Sequence, residues 1–159
     1  MNIKIRRAKK SDIDRILKLL NEVLELHAQI RPDIFISGKT KYTKEELEKM
    51  LSNDDKPIFV AVNDDDVVMG YTFCQLKRQP FSTNMRDFTS LFIDDLCVDA
   101  EYRNLHIATK LFDFVYQYAK DKKCYDITLN VWEGNDGARA FYEKKGMFVK
   151  ETQMELIIK

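Results

Sequence analysis

A chain of 159 residues, 45% apolar, is long enough for one domain that buries roughly two thirds of its unfolded surface. Lys plus Arg and Asp plus Glu both total 26, so the formal net charge is zero, and the broad basic footprint of a nucleic-acid or membrane-surface binder is missing. Cys74, Cys97 and Cys124 form no C-x-x-C pair, and the N-terminal MNIKIRRAKK lacks an apolar signal core. Free thiols in a reducing cytoplasm are expected, with small molecules or proteins as partners and no membrane association.

Strand and helix signals alternate along the whole chain. Ile3 and Ile5 alternate with polar neighbours in a first strand. Ser11 is placed to cap a helix whose Ile13, Ile16, Leu17, Leu20 and Leu24 follow helical spacing. Beyond Pro32 the pattern loosens, and Thr43 with Glu46 has capping-box spacing before a short helix through Leu47, Met50 and Leu51. Runs 58–62 and 67–76 read as strands of a hairpin turning at Asn63 to Asp66. A polar loop through Pro80 and Asn84 leads into a strand ending near Val98. The following helix puts Ile107, Leu111, Phe112, Val115, Tyr118 and Ala119 on one stripe. Residues 125–131 form a further strand, and 136–145 a short helix with Ala138, Phe141 and Tyr142 inward. Residues 147–158 supply the last strand or two. This order predicts a mixed α/β fold around one central sheet, in a single domain over 1–159.

The stretch 91–110, LFIDDLCVDAEYRNLHIATK, carries the strongest functional signal. An apolar strand bearing two adjacent aspartates passes through a polar turn directly into a helix. Free N–H groups and the positive end of the helix dipole converge there, so an anion, most naturally a phosphate, is the expected guest.

Leu96, Val98, Arg103 and Ala108, followed by Asn135, Ala138, Tyr142 and Gly146, stand at the spacing of two motifs of the GNAT superfamily of N-acyltransferases, and the chain resembles that family over nearly all of its element order. The resemblance implies a mixed, mostly antiparallel sheet of six to seven strands, splayed at a V-shaped cofactor cleft and flanked by about four helices. It implies acetyl-CoA as acyl donor, with Leu96, Cys97, Val98 and Asn130 along the pantetheine. The pyrophosphate would meet Arg103, Asn104, Leu105, His106, Ile107, Ala108 and Thr109, and Asn135 and Tyr142 would complete the cofactor site. It assigns the Tyr142 hydroxyl to the thioester sulfur as general acid, and makes a homodimer plausible. One departure stands out. His106 replaces the usual loop glycine, and a β-carbon there restricts positive φ; Asn104 tolerates the left-handed region, and a cationic His106 could itself bind phosphate.

Amine acetylation needs a base for the acceptor ammonium. Asp94 is the favoured base, directly or through water, with Asp95 the alternative; without a bulge the two point to opposite sheet faces. A salt-bridged or capping aspartate is the competing reading of either. Asn135 can cap the helix it precedes, and Trp132 and Glu133 shape the cleft edge. Arg31, Asp33 and Phe35 lie where the resemblance places the acceptor-side wall, His27 reads as a packing residue, and Cys97 as an inert thiol. With two histidines in the chain no metal site is expected. The preferred reading is direct acetyl transfer to a small primary amine. Acetylation of a protein N-terminus or lysine, and a non-catalytic CoA-binding module, are the alternatives.

Overall fold

The computed structural model describes residues 1–80 and 82–159; Phe81, within the expected polar loop, lies outside the described residues. Five strands form one sheet in the order β1 (Lys4–Arg7), β2 (Ile58–Val62), β3 (Val68–Arg78), β4 (Thr89–Val98), β5 (Asp126–Leu129). The first four pair antiparallel, and β5 joins β4 in parallel. Two helices on one side, α1 (Ile13–Ile30) and α2 (Lys44–Met50), and two on the crossover side, α3 (Ile107–Asp121) and α4 (Asp136–Lys144), complete it.

The pleat explains how this sheet is covered twice. Tyr71 and Phe73 of β3 pack with Ile13, Ile16, Leu19 and Leu20 of α1 and with Leu47 of α2. Phe59, Leu91 and Ile93 join Phe112, Val115 and Ala119 of α3 instead, with Phe141 and Tyr142 of α4 against them. Each buried aliphatic or aromatic side chain of this kind contributes about 1.5–3 kcal/mol. Gly70 has no room for a side chain: a β-carbon there would stand 2.8 Å from the Cys97 carbonyl oxygen.

Three expectations are corrected. The α1 N-cap is Asp12 and not Ser11, because a short 3-10 turn (Lys10–Asp12) precedes the helix; the Asp12 carboxylate makes no cap hydrogen bond to α1 and instead receives the Lys9 amide at 2.9 Å and Arg6 through both oxygens at 2.7 and 3.0 Å. The fifth strand stops at Leu129 rather than Val131. Most consequentially, the sheet has five strands, not six to seven: residues 147–159 carry strand alternation but form no strand among the described residues. A strand exists only through ladder hydrogen bonds to a neighbour, and this segment has none.

Candidate active site

The β4–β5 ladder runs from Ser90 opposite Asp126 to Ile93 opposite Leu129 and stops, while β4 continues to Val98. Along Asp94 to Val98, β4 is paired with β3 alone, which leaves the backbone groups of its other edge without a strand partner. A bulge sits at the fork. Phe73 pairs with Asp95 and Cys74 with Ile93, so Asp94 is the extra residue. Such an insertion bends and twists the strand locally, and here it coincides with the parting of β5. Leu96, Cys97 and Val98 follow the bulge, and Asn130 is the exposed residue just past β5. The unpaired donors and acceptors of this edge suit an extended, amide-bearing ligand such as pantetheine.

Beyond β4 the chain turns through the buried Asp99, whose carboxylate is held by Arg15 and also accepts the Glu101 amide at 3.0 Å. Asp99 thereby fixes the take-off of the loop 103–106. Asn104 (φ 68°) and His106 (φ 60°) both lie in the left-handed region, so the loop adopts the glycine-like course with side chains in place, at a cost of roughly 1–2 kcal/mol per residue. His106 is the N-cap of α3 and supplies no side-chain cap. The first-turn N–H groups of Ile107, Ala108 and Thr109 are therefore left for an outside acceptor, and Arg103, Asn104, Leu105 and His106 are exposed around them. This cradle fits a diphosphate.

The bulge places the two aspartates under shared influence, although they use different partners. Asp94 accepts the Lys41 ammonium at 2.8 Å and the Tyr42 hydroxyl at 3.0 Å on one oxygen, and it keeps a partly exposed edge. Asp95 accepts the hydroxyl of the fully buried Tyr71 at 2.8 Å. Burial pushes the Asp95 carboxyl up to about 6, against the lowering pull of Tyr71 and Lys41 and with the nearby Asp94 charge adding to the rise. Tyr142 packs against Phe112 and Phe141, with ring centroids 6.2 and 5.2 Å away. Burial first, and then the Asp95 charge, raise its hydroxyl above the ordinary phenol value, and among the described residues it makes no hydrogen bond. A protonated phenol thus stands near the fork with its donor free. Asn135 caps α4, accepting the Ala138 amide at 3.4 Å.

A third group lies past the end of β5. Phe35 meets His27 at 5.2 Å and the Trp132 ring edge-on at 5.4 Å, and the Arg31 guanidinium sits 5.8 Å over Trp132 while pairing with Asp33 and Glu155. Burial and the Lys41 charge hold His27 below the usual imidazole range, as expected of a packing residue. Burial pushes the Cys97 thiol up to about 12, which leaves it a poor nucleophile. Among the described residues no cluster of three or more His, Cys, Asp or Glu could hold a metal ion, and no helix is long and apolar enough to cross a membrane.

Lys41, Tyr42, Tyr71 and Asp99 were not singled out from sequence. Lys41 and Tyr42 lie 52 or more positions from Asp94, so only the fold brings them together. Tyr71 stands two residues before Phe73 in β3, and the faint available signal is a polar-tipped aromatic within an otherwise buried strand.

The comparisons with known proteins agree with this architecture. The thialysine N-epsilon-acetyltransferase of Bos taurus is 26% identical over 153 residues, covering 91% of this chain and 83% of that protein. A crystal structure of a single-site mutant of the BH1408 protein from Bacillus halodurans superposes with a TM-score of 0.93 at 28% identity, covering 98% of this chain and 99% of that one. The glucosamine-6-phosphate N-acetyltransferase of Arabidopsis thaliana superposes with a TM-score of 0.67 at 25% identity over the whole of both chains. The family model of the Acetyltransferase (GNAT) family matches residues 20–147. With that match, and with the forked sheet and amide cradle in place, the chain belongs to the GNAT family and is an acetyl-transferring enzyme.

Proposed function

We propose that the protein transfers acetyl from acetyl-CoA directly to the primary amine of a small molecule, within one N-acetyltransferase domain over residues 1–159. The observation that carries this reading is the Lys41 ammonium seated 2.8 Å from Asp94, the extra residue of the bulge at the fork. A primary alkylammonium already rests there on the carboxylate assigned as base. The relatives act on amines by name, thialysine in one and glucosamine 6-phosphate in another, which supports a small amine acceptor.

In this reading the unpaired edge of Leu96, Cys97 and Val98, with Asn130, holds the pantetheine arm, and Arg103 to Thr109 hold the diphosphate, with Asn135 at the rim. The donor supplies an acyl group on a thiol leaving group. Asp94 takes the proton of the acceptor ammonium, directly or through a water, so that a neutral nitrogen can attack the carbonyl carbon. As the carbon–sulfur bond breaks, Tyr142 donates its proton to the departing sulfur. The hydroxyl is protonated at neutral pH, as a phenol at or above its ordinary value is, so the proton is there to give. Asp95, half-buried and bound to Tyr71, supports the bulge rather than meeting the acceptor. Cys97 takes no acyl group. The free thiols Cys74, Cys97 and Cys124 support a cytoplasmic location, and a homodimer is the expected assembly.

The test is release of CoA thiol from acetyl-CoA across pooled small amines and lysine peptides, with Asp94→Asn and Tyr142→Phe beside the parent. Turnover with a small amine that both substitutions depress fits the reading. Turnover on peptides alone transfers the acceptor to protein, and turnover untouched by either substitution removes both residues from the chemistry.

A further inference from the structure

The connection between α1 and α2, residues 31–43, is pinned at two places and presents one lysine between them. Glu25 of α1 accepts the Ser37 hydroxyl and the Gly38 amide, both at 2.6 Å. Further on, the Tyr42 ring stacks on Phe73 of β3, centroids 5.5 Å apart and planes 12° from parallel, the Tyr42 carbonyl accepts the Thr40 hydroxyl at 2.9 Å, and Thr43 caps α2. Lys41 is thus carried on a short span between fixed points, and its ammonium is delivered to Asp94.

A lysine on a carboxylate is commonly no more than a surface ion pair. Two features set this one apart. Its partner is the extra residue of the β4 bulge, at the place where β5 leaves the sheet, rather than a residue of a regular element. The same carboxylate oxygen accepts the Tyr42 hydroxyl at 3.0 Å, so the neighbour of Lys41 orients the oxygen that holds the ammonium. The adjacent lysines are placed differently. Lys44 turns to Asp14 on α1 at 3.8 Å, and Lys39 is exposed two positions before Lys41.

We infer that Lys41 is itself an acetyl acceptor, modified once per chain by the chain's own site. The inference rests on the reading of acetyl-CoA as donor and Asp94 as base, and adds a substrate to it. Asp94 takes one proton from the Lys41 ammonium, and the neutral Nζ bonds to the acetyl carbonyl carbon. The nitrogen gives a second proton to solvent as the carbon–sulfur bond breaks with its electron pair on sulfur. Tyr142 protonates that thiolate and is restored, through solvent, by the proton held on Asp94. The products are N-acetylated Lys41, free CoA thiol and one proton in solution. A tethered amine meets the donor at an effective concentration on the order of millimolar, so the transfer needs no second molecule of acceptor. The amide formed is uncharged and cannot pair with Asp94, while Tyr42 keeps its bond there. Modification therefore clears the base of its resident ammonium, and the modified chain should show a KM for a small amine lower by up to about fivefold.

The test is peptide mass spectrometry on the full chain incubated with acetyl-CoA carrying an isotope-labelled acetyl group, without added amine and then with pooled small amines. The expected result is one acetyl group per chain, on Lys41, entering at least ~10-fold faster than on Lys39 or Lys44 and at a rate per chain that does not change when the protein is diluted. Asp94→Asn should slow the labelling of Lys41 about 100-fold and leave that of Lys39 and Lys44 as it was. Labelling of Lys41 no faster than of its two neighbours, or equally fast in Asp94→Asn, is ordinary chemical acetylation and overturns the inference. A rate per chain that rises with protein concentration overturns transfer within one chain. Small amines acetylated while Lys41 stays bare overturn self-acetylation and leave the proposed function standing, whereas no transfer to any amine overturns both. The ranking of the three lysines is read in the parent, so it stands even if the variant does not fold.

Discussion

The proposed donor side and the proposed acceptor side of the fork are built by opposite strategies. The proposed donor cradle is local: the strand end, Asn104, His106 and the first turn of α3 lie within a dozen residues, and backbone amides would do the holding. The acceptor side is assembled from afar, with Lys41 and Tyr42 meeting Asp94 from more than fifty residues away and Tyr71 meeting Asp95 from the next strand. A site made of main chain tolerates side-chain departures such as His106, whereas a site made of side chains is defined by them. That contrast predicts large catalytic effects on the acceptor side and small conformational ones in the cradle.

The largest effect belongs to Tyr142. Tyr142→Phe keeps the ring against Phe112 and Phe141 but removes the proton donor, and should lower kcat about 10²–10³-fold with little change in KM for acetyl-CoA, measured by steady-state kinetics. A large KM change with kcat intact would make the residue part of the cradle instead.

Asp95 comes next, and its effect is on stability. The folded pKa of about 6 lies above the ordinary 3.8, so the fold favours the neutral acid. That contribution is fully present below pH 3.8 and is lost as pH rises through 6, at a cost on the order of 2–3 kcal/mol once the group is ionised. Asp95→Asn should flatten this fall, so that urea denaturation finds the variant more stable than the parent at pH 7 to 8 but not at pH 4. A parent whose stability does not decline between pH 4 and 7 relative to the variant would mean that Asp95 is charged in the fold at little cost.

Lys41→Met should have a smaller effect. In the proposed reading the half-exposed ammonium competes with the acceptor for Asp94, and its removal should lower KM for a small amine by up to about fivefold, the range of a surface ion pair. If KM rises instead, Lys41 helps to hold the acceptor. Smallest is His106→Gly, which relieves the left-handed strain but loses chain stiffness, for a net gain of about 0.5–1 kcal/mol in thermal unfolding. An unchanged affinity for CoA in calorimetry would fit a cradle made of backbone, whereas a strong loss would make the imidazole a phosphate ligand.

Particular residues explain how much of this was legible in the chain. Helical stripes such as Ile107, Leu111, Phe112 and Val115 are local and period-bound, so α3 and its N-terminus could be placed from sequence. The opposite-faces argument for Asp94 and Asp95 was valid only for a regular strand, and whether β4 bulges is decided by its pairing with Phe73 and Cys74, which adjacency in sequence does not encode. Residues 147–159 mislead in another way. Their alternation states that a strand is wanted, but its partner is not determined by the segment itself, and within one copy the ladder does not form.

The central claim is that a forked β4 edge and the amides opening α3 together hold the acyl donor. Backbone amide NMR of the protein titrated with CoA tests it most directly. The account predicts saturable shifts concentrated at Leu96 to Val98 and at Asn104 to Thr109. Saturable binding that leaves both stretches unmoved and perturbs another surface would contradict it.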